Sequence, residues 1–386
     1  MKVALAQINC RVADFRGNAG RIRGFAARAE KQGAELVVFP EQCLGGYPAL
    51  DLWESPEFIA ANERCLRDLA KGTGEMGLLL GFVTENPKKV GKPILNAAAL
   101  LHKGKVAALR AKTLLPTYDV FDEARYFEPA ASNAPILFKG RRLGVTICED
   151  AWSAECVGKR RLYARDPMTE QVRAGADLLI NISASPFIRG KTAARLRMLR
   201  AHAKRAKRPL LYCNLAGAND EIVFDGNSLA LDSRGQPVAK ARAWGEDLVL
   251  IDTEKLGSPL KGPLFPEDVE EVAEALGLGL KDYLKKCGFT QVFVGLSGGI
   301  DSAVVCALAV RALGANRVTG VSMPSPYSSE HSKSDARALA ENLGVRFLNL
   351  PITELFDSYR KILAPVFAGA PEGLAEQNLQ ARIRGA

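Results

Sequence analysis

The sequence predicts an α/β protein of two domains. Short aliphatic or β-branched runs alternate with segments of helical spacing along the 386 residues, which is the pattern of layered α/β domains. Residues 257–266 interrupt this pattern with two glycines and three prolines, a composition that favours a linker. We therefore expect one domain at 1–255, a linker at 256–268 and a second domain at 269–386.

The first domain is rich in strands. The spacing predicts strands at 2–8, 35–39, 78–84, 94–102, 106–110, 135–138, 141–147, 177–182, 210–213, 221–224, 228–231 and 247–252, and helices at 18–32, 57–70 and 189–208. Strands interleaved with so few helices indicate a layered domain with a mixed sheet. Residues 111–129 have no regular period and predict a long loop, which in a compact domain is usually functional.

The second domain repeats a simpler unit. The pattern predicts helices at 267–284, 302–313, 332–342 and 353–363, and strands at 291–295, 317–321 and 345–350. Two βαβ steps imply a parallel sheet with right-handed crossovers. The sequence ends after Gly385 in a stretch of helical character.

Composition narrows the class of protein. The chain is 47% hydrophobic and 25% charged, as in ordinary soluble proteins, and no apolar run approaches the roughly 20 residues that span a bilayer. The eight cysteines form no CxxC pair, and the first residues do not resemble a secretory signal, which favours free thiols in the cytoplasm. The three histidines lack metal-ligand spacing, so the sequence does not predict a histidine-based zinc site.

The net charge of +9 could come from one segment, 189–208, which has nine Lys or Arg and no acid. Such a run can bind nucleic acid. Here no aromatic residue is interleaved, and Leu196, Leu199 and Ala203 form a helical apolar stripe. The pattern favours a solvated helix face over a nucleic-acid site, and we expect no nucleic acid or membrane partner.

Three chemically distinct side chains follow predicted strands. Glu41 follows the second strand, Lys112 opens the long loop and Cys148 ends the run 143–147. Strand ends line the crevice of layered α/β folds, where the carboxylate could act as a base, the ammonium could stabilise an oxyanion and the thiol could attack an amide. Taken singly, these residues also fit a helix cap or surface pair, a solvated lysine and an inert buried thiol.

The motifs around these residues resemble one family. FPE at 39–41, AKTLLPTYDVFDEARYF at 111–127 and CEDAW at 148–152 resemble the carbon–nitrogen hydrolase (nitrilase) superfamily in its glutamine-amidase branch. The resemblance implies an αββα sandwich and a triad of Glu41, Lys112 and Cys148. It also implies glutamine binding by Tyr118 and, within NISASPFIRGK, by Ser185 and Lys191, although spacing alone equally allows Ser185 to cap a helix.

A second motif, GLSGGIDS at 295–302, lies between a predicted strand and a predicted helix. Glycines and a helix N-terminus favour anion binding there, and the absence of a GK[ST] ending argues against a P-loop that transfers the γ-phosphate. SGGIDS resembles the pyrophosphatase loop of enzymes that cleave ATP to AMP and pyrophosphate, and MPSPYSS at 323–329 resembles their adenosine-binding segment. The implied ATP-binding residues are Gly295, Leu296, Ser297, Gly298, Gly299, Ile300, Asp301 and Ser302. Asp301 fits either a Mg²⁺-linked role or a carboxylate at a helix start.

The two sites in one chain resemble the family of glutamine-dependent NAD⁺ synthetases. The resemblance implies a Rossmann-like second domain, of the adenine nucleotide α-hydrolase type, and glutamine, ATP and deamido-NAD⁺ as substrates with Mg²⁺ as cofactor. It also implies an ammonia tunnel, a homo-oligomer and a contact of Asn378 with deamido-NAD⁺; a polar residue on a helix surface is the alternative for Asn378. The family's synthetase domain continues past the position of Gly385, so we expect an intact amidase half and an incomplete synthetase half.

Two other functions fit parts of the sequence. A free-standing amidase with a vestigial nucleotide-binding segment would hydrolyse amides without regard to ATP. A regulatory nucleotide-binding module would bind ATP or AMP without turnover, but the presence of Glu41, Lys112 and Cys148 argues against it.

Overall fold

The computed structural model describes residues 1–153, 156–157, 160–265, 268–366 and 373–385. The chain divides into two compact units, Met1–Ala275 and Leu276–Ala386, each built from strands and helices. None of the helices in these described ranges is both long and apolar enough to cross a membrane.

Two six-stranded sheets form the centre of the first unit. Its strands are β1 (Lys2–Gln7), β2 (Leu36–Val38), β3 (Gly77–Glu85), β4 (Ile94–His102), β5 (Lys105–Ala111), β6 (Ile136–Phe138), β7 (Arg141–Ile147), β8 (Cys156–Val157), β9 (Arg160–Arg161), β10 (Leu178–Ser183), β11 (Leu210–Asn214), β12 (Ala216–Asn219), β13 (Ile222–Asp225), β14 (Leu229–Leu231), β15 (Pro237–Lys240) and β16 (Asp247–Asp252). The first sheet has the order β16-β1-β2-β3-β4-β5, and the second has the order β15-β14-β11-β10-β7-β6. Both are mixed, since β1, β2 and β3 run parallel in one and β7, β10 and β11 in the other, with antiparallel flanks.

Helices cover the outer faces of both sheets. The helices of this part of the chain are α1 (Phe15–Lys31), α2 (Pro56–Lys71), α3 (Glu123–Tyr126), α4 (Pro167–Arg173), α5 (Lys191–Ala206) and α6 (Asp268–Cys287), which crosses the boundary of the two units. Of these, α1, α2, α4 and α5 pack on the sheets. Side chains of α1 and α2 pack with one face of the first sheet. Those of α4 and α5 pack with one face of the second sheet, so the layers run helix, sheet, sheet, helix, as the family resemblance implied.

The alternation of β1 shows how the sequence builds these layers. Successive side chains of a strand point to opposite faces. Ala4 and Ala6 therefore lie in the core under α1 and α2, while Val3 and Leu5 lie in the core between the sheets with residues of β7 and β10 such as Val145. Both faces of β1 are buried, so this strand contains apolar residues at successive positions rather than only at every second one.

The second unit contains a three-stranded parallel sheet of order β17-β18-β19 in its described residues. The elements are β17 (Val292–Gly295), α7 (Ile300–Leu313), β18 (Val318–Ser322), α8 (Glu330–Leu343), β19 (Arg346–Asn349), α9 (Thr353–Leu363) and α10 (Leu374–Gly385). Val294, Cys306, Val318 and Ala340 belong to its core. The two predicted βαβ steps are therefore present, as the Rossmann-like prediction requires.

Some elements differ from the sequence prediction. The pattern missed β12, β15 and α4, which are short, and the predicted loop 111–129 contains the single helical turn α3. The predicted apolar stripe of α5 is confirmed, since Leu196, Leu199 and Ala203 are buried. The prediction that the basic residues of α5 form a solvated face is wrong for Arg195, which is buried and donates from Nη2 to both carboxylate oxygens of Asp225 at 2.9 Å.

Candidate active site

The predicted triad comes together where strands of both sheets end. Glu41 lies just beyond β2, Lys112 follows β5 and Cys148 follows β7. All three side chains are buried. Gly81 of β3 allows this packing, because a Cβ there would come within 2.4 Å of the Glu41 Cα atom. The side chains predicted from separate strand ends therefore share one buried site.

Lys112 holds two buried carboxylates. Its Nζ lies 2.8 Å from Glu41 Oε1 and 2.7 Å from Glu123 Oε1. Asn96 Nδ2 donates to the same Glu41 oxygen at 2.7 Å, and the backbone N–H of Ala184 donates to Glu41 Oε2 at 2.8 Å. The Glu41 carboxylate is thus held in place by three donors.

Cys148 sits in a sharp turn. It begins a short 3₁₀ helix, Cys148–Ala151, directly after β7, and its φ is +40°, a left-handed conformation that is costly for residues with a Cβ. Asn181 Nδ2, on the neighbouring strand β10, approaches the Cys148 carbonyl oxygen at 3.5 Å and donates to Thr146 Oγ1 at 3.0 Å. The turn places the thiol at the end of β7, where Cys148 borders the core between the two sheets.

Burial and neighbouring charges set the protonation of these groups. Burial and the Glu41 charge raise the pKa of the Cys148 thiol, and Lys112 opposes this rise. Burial opposes the charge of Lys112, but Glu123 and Glu41 outweigh it and raise the pKa of the ammonium. Burial raises the pKa of Glu123 to about 7 despite the nearby Lys112. The resting site therefore contains a neutral thiol next to a carboxylate that can take its proton.

A second set of polar groups lies beside the thiol. Glu149 is buried and accepts hydrogen bonds from Tyr118 Oη at 3.0 Å and from Tyr163 Oη at 2.8 Å. Lys191 Nζ lies 5.6 Å from the centre of the Trp152 ring and a similar distance from that of Phe121. Burial lowers the pKa of Lys191, while Cys148 and Glu149 are among the groups that oppose this shift. A buried carboxyl group and a buried amine thus lie near the Cys148 thiol.

Ser185 is buried and does not cap a helix. The helix α5 begins at Lys191 with Gly190 as its N-cap. The Ser185 backbone N–H donates to Asn214 Oδ1 at 2.9 Å, and Asn214 Nδ2 donates back to the Ser185 carbonyl at 3.3 Å. Within the described residues, Ser185 Oγ is a buried polar atom without a hydrogen-bond partner. A hydroxyl that is buried and unpaired is available to a ligand.

The second unit has a cavity of about 310 Å³ at the end of β17 and β18. Its wall includes Gly295, Leu296 and Ser297 of the predicted phosphate loop, and Met323 and Pro324 of the segment 323–329. Ser332 and Lys333 of α8 and Arg384 of α10 complete the wall. Gly298, Gly299, Ile300, Asp301 and Ser302 continue from this wall into the first turn of α7. A hydrogen bond lies within the loop, since Ser302 Oγ donates to the Gly299 carbonyl at 2.9 Å.

Asn378 is not among the described residues that line this cavity. It is exposed on α10, while Arg384 of the same helix reaches the cavity and donates from Nε to the Met323 carbonyl at 3.1 Å. No group of three or more metal-binding side chains occurs among the described residues. A Mg²⁺ ion that binds with nucleotide phosphates needs only one or two protein carboxylates, and the exposed Asp301 fits that requirement.

The packing of Gly298 gives a test of the loop. Gly298 has a φ of +78°, and a Cβ there would come within 2.4 Å of the Ser332 carbonyl oxygen at the start of α8. We expect Gly298→Ala to displace the loop and weaken ATP binding at least about 10-fold, as measured by calorimetric titration with Mg-ATP. Gly288→Ala is the matched control, because Gly288 also has a positive φ but no atom near its Cβ position. Equal affinities for the two variants would contradict a role of this loop in ATP binding.

Sequence reasoning missed several residues of the first site. Glu123 and Asn96 contact the triad, and Tyr163 shares Glu149 with Tyr118. Glu123 lies within the motif 111–127, so the motif contained a signal for it. Asn96 and Tyr163 had no signal, since one is a polar position in an apolar strand and the other lies beyond the recognised motifs.

Comparisons with known proteins identify both parts of the chain. The family model described as carbon–nitrogen hydrolase matches residues 2–256, and that described as NAD synthase matches residues 272–386. The glutamine-dependent NAD(+) synthetase of Synechocystis sp. is 42% identical over 391 residues, which cover 99% of this chain and 70% of that protein. The enzyme of the same name from Thermotoga maritima is 36% identical, covering 100% of this chain and 71% of that protein.

Solved structures give the same result. Glutamine-dependent NAD⁺ synthetase from Acinetobacter baumannii, in complex with ADP, has a TM-score of 0.90 and 33% identity, covering 100% of this chain and 71% of that chain. An amidase of Nesterenkonia sp. AN1, in a glutamate-to-glutamine mutant with acrylamide added to its active-site cysteine, has a TM-score of 0.55 and 26% identity, covering 65% of this chain and 92% of that chain. By sequence and by fold, the chain belongs to the glutamine-dependent NAD(+) synthetase family.

Proposed function

We propose that the chain converts a carboxylate of deamido-NAD⁺ into the amide of NAD⁺ with ammonia from glutamine. In this proposal the amidase domain comprises residues 1–255, a linker follows at 256–268, and the synthetase domain begins at 269. The observation that carries the proposal is Lys112 Nζ between the buried carboxylates of Glu41 and Glu123, next to the Cys148 thiol. Family membership gives this amide-cleaving site an ATP-dependent partner on the same chain.

The first reaction uses the thiol as nucleophile. Glu41 takes the Cys148 proton as Sγ bonds to the side-chain amide carbon of glutamine, and the Lys112 ammonium stabilises the oxyanion. The carbon–nitrogen bond then breaks, the proton passes from Glu41 to the departing nitrogen, and ammonia leaves a thioester. Glu41 next activates a water molecule, which attacks the thioester and releases glutamate and the thiol. The raised pKa of Cys148 explains why this mechanism needs a neighbouring base.

The flanking charges suit an amino acid rather than a simple amide. The buried Glu149 carboxylate can accept hydrogen bonds from the α-ammonium of glutamine, with Tyr118 and Tyr163 holding the carboxylate. Lys191 can pair with the α-carboxylate, and Ser185 Oγ can supply a further hydrogen bond. Charge-assisted hydrogen bonds at both ends of the ligand would select the free amino acid.

The second reaction requires a mixed anhydride. The deamido-NAD⁺ carboxylate attacks the α-phosphorus of ATP, pyrophosphate leaves, and ammonia then displaces AMP to form the amide. Backbone N–H groups of residues 295–302 and the N-terminus of α7 would hold the pyrophosphate, with Mg²⁺ near Asp301 supplying neutralising charge. Asn378 remains our proposed contact to deamido-NAD⁺. The bound ADP of the Acinetobacter relative supports ATP as the nucleotide.

Location and assembly are proposals as well. We propose that the enzyme acts in the cytoplasm, since seven described cysteines are free thiols of the kind that a reducing compartment preserves. We also propose a homo-oligomer, from the family resemblance. Light scattering coupled to size-exclusion chromatography would test it, and a monomeric mass at micromolar concentration would refute it.

The raised pKa of Glu123 gives a pH prediction. Glu123 faces Lys112, Glu41, Asn96 and Tyr47. As pH falls through about 7, Glu123 gains a proton, so one of the two carboxylates that hold the Lys112 ammonium in place loses its charge. We expect kcat for glutamine hydrolysis to rise with pH between 6 and 8 by up to about 10-fold.

The matched variant is Glu123→Gln, which cannot titrate. We expect a lower kcat at pH 8, by about 10-fold to 100-fold, and loss of the rise between pH 6 and 8. Stopped-time assays of glutamate release across this pH range would measure both. An unchanged rise in Glu123→Gln would assign the titration to another group.

The decisive experiment measures glutamate release from glutamine with and without ATP, Mg²⁺ and deamido-NAD⁺, and compares glutamine with acetamide and propionamide. The proposal expects glutamine to be strongly preferred and its hydrolysis to be faster when the ligands of the second site are present. Equal rates with all amides, unaffected by nucleotide, would instead identify a free-standing amidase.

A further inference from the structure

The catalytic lysine and cysteine come from different sheets, and one side chain joins their loops. Lys112 follows β5 of the first sheet, and Cys148 follows β7 of the second. Asp150 Oδ1 accepts hydrogen bonds from the backbone N–H groups of Thr113 at 3.0 Å and Leu114 at 2.8 Å. Its other oxygen, Oδ2, accepts from the backbone N–H of Ile147 at 3.0 Å.

This carboxylate is fully enclosed. Asp150 is 1% exposed, and no salt bridge to it occurs among the described residues. A buried carboxylate is costly unless its oxygens accept hydrogen bonds, and here three backbone donors supply them. Because all three donors are main-chain groups within two residues of Lys112 or Cys148, the energy of these bonds depends on the position of the two loops and not on any other side chain.

We propose that Asp150 is a positioning residue that fixes the Lys112 ammonium relative to the Cys148 thiol. This inference rests on the proposed amidase function. The oxyanion forms on the carbon that Sγ attacks, so the ammonium must lie at a set distance from the thiol. A displacement of about 1 Å between catalytic groups can cost roughly 100-fold in rate. Asp150 sets this spacing because one carboxylate holds the backbone on both sides.

Two substitutions of Asp150 separate its bonds to the loop of Lys112 from its bond to the turn of Cys148. In Asp150→Asn the remaining carbonyl oxygen can still accept from Thr113 and Leu114, but the amide nitrogen faces the N–H of Ile147 and cannot accept. The variant therefore keeps the lysine loop and releases the cysteine turn. Asp150→Ala removes all three bonds and releases both. The matched control is Asp232→Asn, because Asp232 Oδ1 also accepts from two backbone N–H groups, those of Arg234 and Gln236, in a turn.

The test uses the full chain and three readouts. These are kcat and KM for glutamine, the thermal midpoint, and the rate of iodoacetamide alkylation of the peptide that contains Cys148, followed by mass spectrometry. We expect kcat to fall about 10-fold in Asp150→Asn and about 100-fold in Asp150→Ala, with KM within about threefold of the wild-type value. Alkylation of Cys148 should slow about fivefold or more in both, since the ammonium no longer stabilises the thiolate. Asp232→Asn should match wild type in all but the thermal midpoint.

A purely structural role predicts a different pattern. Loosening of the fold would lower the apparent kcat through a smaller folded fraction and leave KM unchanged, but it would accelerate the alkylation of Cys148 or leave the rate of alkylation unchanged. Either result, or unaltered kcat in both Asp150 variants, would overturn the proposal. The alkylation comparison does not require glutamine, so it still tests Asp150 if the wild-type chain releases no glutamate and the amidase function itself fails.

Discussion

Replacement of Cys148 by alanine should abolish glutamine hydrolysis while the ATP site remains intact. We expect kcat to fall by at least about 10⁴-fold, because no other group in the site can form the thioester and loss of a nucleophile removes the whole covalent route. Glu41, Lys112 and Glu123 keep their mutual contacts without the thiol, so the thermal midpoint should change by only a few degrees. Glutamate release and calorimetric titration with Mg-ATP would measure the two sites separately.

Cys65→Ala is the control for thiol removal. Cys65 is half-buried on α2, where its Sγ donates to the Phe15 carbonyl, and it has no contact with the triad. We expect wild-type hydrolysis from this variant. If Cys148→Ala retained more than about 1% of the wild-type rate, the covalent mechanism would be wrong and Glu41 would have to activate water directly on the amide.

Much of the first site could be predicted because strand ends converge. Glu41 and Cys148 each follow a recognisable buried strand, and Lys112 follows the partly exposed strand β5. Parallel strands such as β7 and β10 end level with each other, with Ile147 opposite Ile182. A sequence pattern that locates strand ends therefore also locates the residues that meet there. The identity of the reaction came from the motifs, since spacing alone also allowed an inert thiol.

The residues that could not be predicted are those whose burial depends on a distant partner. Arg195 lies in the most basic segment of the chain, and its burial is made favourable by its pairing with Asp225 on β13 and by its contact with the Tyr212 ring. Asn96 interrupts an apolar strand without a local reason, and its role becomes clear from its bond to Glu41. Helical or strand periodicity records which face is buried but not which polar side chains pair across the core.

Lys112 should be essential for stability as well as for activity. In Lys112→Met the carboxylates of Glu41 and Glu123 stay buried without a counter-charge, and removing one partner of such a group costs about 3–5 kcal/mol in the free energy of unfolding. Loss of the oxyanion partner should also lower kcat by roughly 10²-fold to 10³-fold. Urea unfolding and glutamate release measure the two effects. Lys105→Met, at the exposed start of the strand that precedes Lys112, should change stability by no more than about 0.5 kcal/mol.

The pH dependence of the stability lost in Lys112→Met distinguishes the burial of unpaired charge from the loss of side-chain packing. Without Lys112, the pKa values of both carboxyls should be higher in the folded than in the unfolded state, so the folded variant is relatively most stable when they are protonated and loses stability as pH rises. We therefore expect the stability deficit of Lys112→Met to be smaller at pH 5 than at pH 8. Adding Glu123→Gln should recover part of the stability at pH 8 without restoring hydrolysis, because one buried charge is removed while the oxyanion still lacks its ammonium. A deficit that is equal at both pH values would mean that Lys112 stabilises the fold by packing alone.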